Sequence, residues 1–247
     1  MAATPIGTDH LGRDLLHRVA VGARPTVEAV LSGAALAATL GLAIGLVGAG
    51  PGTLGAFARG AAQLLCTIPG LVAALALAGV MGGGLAPALA GCALAVPAAG
   101  QAALVVAGLA AVTAKEGHVR AALALGVALP RVFLRHLLPS LRATLGAWAA
   151  ARLPRIAVSY AGLAFLGLGA DAGRPDWGAM VWEYRTYALA APWLPVAPVV
   201  GLVLLVLSLR LAAQALIPET CRVALGDTRR TRSSCCRPSS RRPARPS

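Results

Sequence analysis

The sequence predicts an all-α, polytopic membrane protein with about five transmembrane helices, and three observations predict it. Hydrophobic residues make up 57% of the 247, and the mean hydropathy of +0.74 lies well above that of soluble domains. Charge is absent from three long runs, Ala29 to Ala58, Gly60 to Ala114 and Thr186 to Leu209. The charge that remains falls between those runs and is strongly basic, 22 Lys and Arg against 9 Asp and Glu. A soluble bundle made from such runs would have no polar face to turn to water, so that alternative is set aside.

Taken in order, residues 1–25 contain no apolar stretch of the signal-peptide kind, so the first span is expected to remain as an anchor. A bilayer core of about 30 Å takes about 20 helical residues at about 1.5 Å each. The first run therefore holds one span. The second holds two, parted by a hairpin at Gly82 to Gly84, and the third holds one. The apolar stretch Ser140 to Leu166 adds a further span, although Arg152 and Arg155 interrupt it. Cys66 and Cys92 fall inside spans and Cys221, Cys235 and Cys236 in the tail, with no CxxC pair and no spaced His, so neither a zinc site nor a disulfide framework is expected.

Basic residues then assign sides. Lys115, Arg120, Arg131, Arg135 and Arg142 lie between the third and fourth spans and eight arginines lie in the tail, which places both at the cytoplasm. The loop from Gly167 to Arg185 balances Asp171, Asp176 and Glu183 against Arg174 and Arg185, which suits the opposite side, and Trp177, Trp182 and Trp193 fit an interfacial aromatic belt. Five spans then put the N-terminus outside, against the local count of Arg13, Arg18 and Arg24 ahead of the first span. The domain reading is an extracytoplasmic segment 1–25, a transmembrane domain 26–218 with a cytoplasmic loop 115–139, and a basic tail 219–247. That tail is Arg, Ser and Pro rich and expected to be disordered, with no aromatics or motif for nucleic acid.

Three stretches carry a more specific pattern. "GTDHLGRDLLHRVAVGAR" places Gly7, Thr8, Asp9, Gly12, Arg13 and Asp14 together; "AFLGLGADAGRPDWGAM" places Phe165, Gly167, Gly169, Trp177 and Gly178 together; the basic loop contains Arg120, Ala121, Ala122 and Gly126 and closes on Arg135, His136 and Pro139. In this order the three resemble the signatures of the dipeptide, oligopeptide and nickel permeases of ATP-binding-cassette importers, C-type subunit, and the third resembles their EAA coupling loop. "TIPGLVAALAL" from Thr67 to Leu77 is a weaker echo. The resemblance covers residues 7 to about 218.

It implies a permease subunit that forms half of a solute path in a bacterial or archaeal cytoplasmic membrane. Its partners would be a second permease, two cytosolic ATPase domains and an extracytoplasmic substrate-binding protein. The chain needs no cofactor of its own, since ATP and magnesium would be held by the partner ATPase, and it has no GxxxxGK[ST] loop. Peptides lead as cargo, with nickel or another small solute as the alternative. The coupling residues Arg120, Ala121, Ala122, Gly126, Arg135, His136 and Pro139 would meet the ATPase; small helix-forming residues suit a helix lying in a groove.

This chain also departs from the family. Arg120 stands where the family has Glu and Leu123 where it has Arg, so an acidic groove residue on the ATPase near Arg120 is expected. The family normally has six spans, one of them before the GTD segment, so a span ahead of Met1 is expected to be missing here. "RLAAQALIPET" does not match the family's last segment.

Arg152 and Arg155 stand three apart on one helix face with Pro154 between them. A charge in hydrocarbon costs about 2.5 to 3.5 kcal/mol on insertion scales. Two roles fit: a cationic lining of the translocation path suited to a carboxylate, or contact with the companion subunit or the cytosolic face. An intramembrane protease is a poor rival, because His10, His17, His118 and His136 all lie outside the expected spans and the apolar runs hold no Asp. An ATP-independent secondary transporter is the better one, to be told apart by whether transport needs an ATPase.

Overall fold

The computed structural model describes residues 7–117, 119, 125, 138–169 and 174–215. Among these the regular structure is helical: α1 (Leu15–Ala49), α2 (Gly52–Thr67), α3 (Gly70–Met81), α4 (Pro87–Thr113), α5 (Leu138–Phe165), a short α6 (Trp177–Tyr184) followed by a 3-10 turn (Arg185–Tyr187), and α7 (Trp193–Ala215). Helices α1, α4 and α7 are long and apolar enough to cross a membrane, and α2 with α3 counts as a fourth crossing when taken as one span bent by 81°. At 28 residues α5 is long enough for the fifth, but its arginines keep it out of the strongly apolar class.

Two boundaries differ from the sequence expectation. Helix α1 starts at Leu15, inside the segment read as 1–25, because Asp14 caps it by accepting from the Leu16 N–H at 3.0 Å. It stops at Ala49, well before Ala58, where Gly50, Pro51 and Gly52 break the helix. The Arg59 guanidinium reaches back from α2 to donate to the Gly48 carbonyl, so a basic group answers the negative end of α1. The expected hairpin between α3 and α4 is present. Gly82 and Gly83 take positive φ, and the Gly83 N–H bonds to the Ala78 carbonyl to close α3.

The seam between α1 and α4 fixes the bundle. Ala29, Gly33, Ala37, Gly41 and Gly45 recur every fourth residue and are all buried. A Cβ added to Gly33 would stand 2.6 Å from the Gly91 carbonyl oxygen, and one added to Gly45 would stand 2.6 Å from the Val106 Cβ. The contacts advance in step along both chains, so α1 and α4 run parallel with backbones touching, which is how small residues drive helix association in lipid. Around the seam, Leu94, Ile156, Tyr160 and Leu163 form the largest buried cluster. The outward side of α7 stays apolar and uncovered at Val199, Val203, Leu204, Leu207 and Leu211, a surface suited to lipid or another membrane helix.

The ends sort themselves. The start of α1, the turn after α3, the turn after α5 and helix α6 gather at one end, called the outer end from here on after the side that the sequence expectation gives it; the close of α1, the close of α4 and the start of α5 lie at the other.

Candidate functional site

At the outer end the GTD segment folds around one carboxylate. Asp9 is buried and accepts four hydrogen bonds: from the Leu11 N–H at 2.9 Å, the Arg13 N–H at 2.8 Å, Arg13 Nε at 2.9 Å and an Arg18 guanidinium nitrogen at 2.8 Å. Burial works to raise its pKa, but these donors outweigh it and hold the carboxyl down at about 2. Gly12 closes the turn with φ of +73°, a conformation that L side chains rarely adopt. Thr8 bridges to Asp14, and the Leu15 N–H bonds to the Gly7 carbonyl, so the segment returns on itself before entering α1.

This folded turn is tied to the end of helix α6, some 170 residues away. Arg18 meets Glu183 at 3.1 Å, Arg13 meets it at 3.5 Å and His10 at 3.6 Å, while the His10 ring stacks on Tyr187 at 5.1 Å between centroids. Tyr184 is fully buried beneath, and burial, with Arg18 pulling the other way, pushes its phenol up to about 12. Two of the three arginines that count against an outside N-terminus are therefore matched by carboxylates.

The second signature is shaped by close approach. Gly167 takes φ of +81° and ends α5, with the Leu168 N–H bonding to the Leu163 carbonyl at 3.2 Å. The Leu168 carbonyl accepts from the Leu85 N–H at 3.1 Å, and a Cβ on Gly84 would stand 2.5 Å from the Gly169 oxygen, so this turn lies directly against the one after α3. Asp176 caps α6 by accepting from the Gly178 N–H and also accepts from the Tyr160 hydroxyl at 2.8 Å. Burial pushes the Asp176 carboxyl above its ordinary range against those bonds. A Cβ on Gly178 would stand 2.1 Å from the Ala161 carbonyl oxygen, so only glycine lets α6 lie on α5.

Trp177 corrects one expectation. It is 5% exposed, not part of an interfacial belt; its indole N–H donates to the Val19 carbonyl at 2.8 Å and its ring passes between Gly22 of α1 and Gly201 of α7. Trp182 and Trp193 are the exposed ones. Phe165 meets Trp182 edge to face at 5.3 Å. Between the two signatures opens a cavity of about 590 Å³ lined by Arg24, Glu28, Arg174 and Asp176 among others.

The structure thus brings Gly7, Thr8, Asp9, Gly12, Arg13 and Asp14 to the same end as Gly167, Gly169, Trp177 and Gly178. It places Arg152 and Arg155 together within α5, deep below that end. Of the coupling residues, Arg120, Ala121, Ala122, Gly126, Arg135 and His136 lie outside the described residues, and Pro139 sits in the first turn of α5. Sequence reasoning counted Glu183 and Asp176 only as loop charges, held Gly22 within the first signature without a role, and passed over Tyr160 and Gly201. Only the four-residue spacing of small residues on α1 was open to it as a signal.

Comparison with known proteins gives a consistent picture. The family described as "Binding-protein-dependent transport system inner membrane component" matches residues 39–220. The glutathione transport system permease protein GsiD of Pectobacterium atrosepticum is 31% identical over 216 residues, covering 85% of this chain and 70% of that protein. The proteins of the same name from Shigella dysenteriae serotype 1 and Escherichia coli O1:K1 are each 32% identical over 216 residues, covering 85% of this chain and 69% of theirs.

Proposed function

This chain belongs to the binding-protein-dependent transport system inner membrane components and is a permease subunit of an ATP-binding-cassette importer, and on that premise we propose that its cargo is a small peptide of the glutathione kind. The similarity to the glutathione permeases over 85% of the chain carries the cargo reading. A membrane permease of this family moves solute and leaves ATP hydrolysis to other subunits.

The outer cap is a rigid platform on which an extracytoplasmic binding protein docks and releases cargo toward the cavity lined by Arg24, Glu28 and Arg174. Its rigidity has a source in the buried Asp9 cluster and in the indole wedged between two glycines. At the opposite end the loop 115–139 engages the ATPase, with Arg120 meeting an acidic groove residue. ATP and magnesium, bound by that partner, supply the drive. Nucleotide shifts the permease only by binding one of its conformations more tightly than the other. The parallel α1–α4 seam, which has backbones in contact, moves as one piece, and the bend between α2 and α3 is where the wall yields. A second permease covers the apolar side of α7.

The test is purification in mild detergent followed by uptake in vesicles. Recovery of a second permease and an ATPase, with glutathione uptake that requires internal ATP, is the expected result. Solute movement by this chain alone without nucleotide would overturn the importer proposal.

A further inference from the structure

Helix α3 begins in the middle of the protein. Pro69 breaks the α2–α3 pair and no side chain caps the first turn of α3 at Gly70. A helix start has N–H groups without intrahelical acceptors and the positive end of the helix dipole. In lipid such an end is tolerated where it faces protein or a polar cavity. Here Gly70 lines a cavity of about 170 Å³ together with Gln101 of α4 and Arg152, Arg155 and Ser159 of α5.

The depth is given twice. Arg155 lies ten residues before Phe165 at the outer end of α5, about 15 Å of helix, and Gly70 packs against the Leu94 carbonyl, seven residues into α4 from its outer start, about 10 Å of helix. Both place the cavity well inside a bilayer core of about 30 Å. Among the described residues no carboxylate engages either guanidinium, and the Gln101 amide on the same cavity carries N–H donors as well as an oxygen. Arg155 is shared with a second cavity of about 270 Å³ that also holds Arg210 of α7.

Two cations three residues apart repel one another and carry the cost of leaving water, so an arrangement without a resident carboxylate is stabilised by an anion that comes and goes. A carboxylate fits: it accepts bidentately from guanidinium, accepts from the free N–H groups at a helix start, and takes a hydrogen bond from Ser159 or the Gln101 amide. We propose that the break between α2 and α3, with Gln101, Arg152, Arg155 and Ser159, is a carboxylate-binding site in the solute path that holds the acidic end of the cargo inside the membrane. This deepens the importer reading and rests on it. The path then selects for anionic peptides over neutral ones, with Arg210 as the next cation inward.

The assembled importer in lipid nanodiscs is treated with phenylglyoxal, and modification of Arg152 and Arg155 is followed by mass spectrometry, with exposed Arg185 as internal reference. Acetate, and glutathione more strongly, are expected to slow modification of both residues about tenfold or more, while acetamide and the glutathione diamide leave it unchanged. In uptake, Arg152→Gln with Arg155→Gln raises KM for glutathione about tenfold or more, and the double Lys variant, which keeps the charge, recovers most of it. No protection by acetate overturns the site, as does a wild-type KM in the Gln variant. Protection needs no nucleotide, so protection without any ATP-driven uptake refutes the importer reading while supporting the site.

Discussion

Two polar clusters of this protein are built on opposite plans. At the outer end Asp9, Arg13, Arg18 and Glu183 answer one another, and the buried carboxylate accepts four hydrogen bonds. At the α2–α3 break Arg152 and Arg155 have no described carboxylate beside them, and the titratable neighbour of Arg152 is the Cys66 thiol. Asp9 is buried and Arg152 partly so, while Arg155 is exposed at the side of α5, and only the first cluster contains its own compensation. Closed networks hold a surface in one shape; an unanswered one is suited to a transient counter-ion.

The largest contrast should come from opening the closed network. Asp9→Ala removes the acceptor that shapes the turn and leaves Arg13 and Arg18 to Glu183 alone, and is expected to cost about 3 kcal/mol, the lower end for a broken buried pair because Arg13 is half exposed. Thermal unfolding of the detergent-solubilised protein, followed by the loss of helical circular dichroism, measures it. The matched change at the other cluster, Arg152→Gln with Arg155→Gln, should leave the midpoint unchanged or raise it, since it removes two uncompensated charges. Equal losses at both sites would abolish the contrast.

Next comes the wedge. Trp177→Ala empties the space between Gly22 and Gly201 and frees the Val19 carbonyl, at an expected cost of about 3 to 5 kcal/mol, with the lower end applying if α1 and α7 close on the gap. Proteolysis of the 170–192 region in nanodiscs should rise in parallel, because Trp177 anchors α6.

These two clusters also show what could be read in advance. The charge-free runs, the turn at Gly82 and the three signatures lie along the chain and were visible in it. The side of the membrane on which the N-terminus lies stays an expectation drawn from the other loops; the fold adds that Arg13 and Arg18 near it are paired with Asp9 and Glu183. The start of α1 was hidden because Arg18, Arg24 and Glu28 sit within the helix, where hydropathy alone ends it. Pairing of Arg18 with Glu183 depends on how the bundle folds back, and no local pattern encodes it. The seam residues from Ala29 to Gly45 were legible as a four-residue spacing, yet composition drew attention to their apolarity rather than their size.

A pH dependence separates the clusters more gently. Asp9 has its pKa lowered to about 2 in the fold against an ordinary value near 4, so its stabilisation is present above about pH 4 and is lost as pH falls toward 2; the span of nearly two units corresponds to about 2 kcal/mol. Tyr184 works at the other extreme. Its phenol is raised to about 12, so the neutral form is favoured by folding, and that contribution is full below pH 10 and declines between 10 and 12. Unfolding midpoints across both windows, compared with Asp9→Asn and Tyr184→Phe, should show the acid limb flattened in the first and the alkaline limb flattened in the second.

The smallest expected effect tests whether close approach, rather than glycine as such, holds the outer end together. Gly162 lies in α5 one residue beyond Ala161, whose carbonyl presses on Gly178, yet a Cβ on Gly162 meets nothing within 4 Å. Gly162→Ala should therefore shift stability by no more than about 1 kcal/mol, toward greater stability, through the helix preference of alanine. Gly178→Ala puts a methyl 2.1 Å from that carbonyl oxygen and must push α6 off α5, carrying Trp177 with it. If the two variants unfold alike, backbone contact is not what positions α6, and the closed plan of the outer cap would rest on the Asp9 network alone.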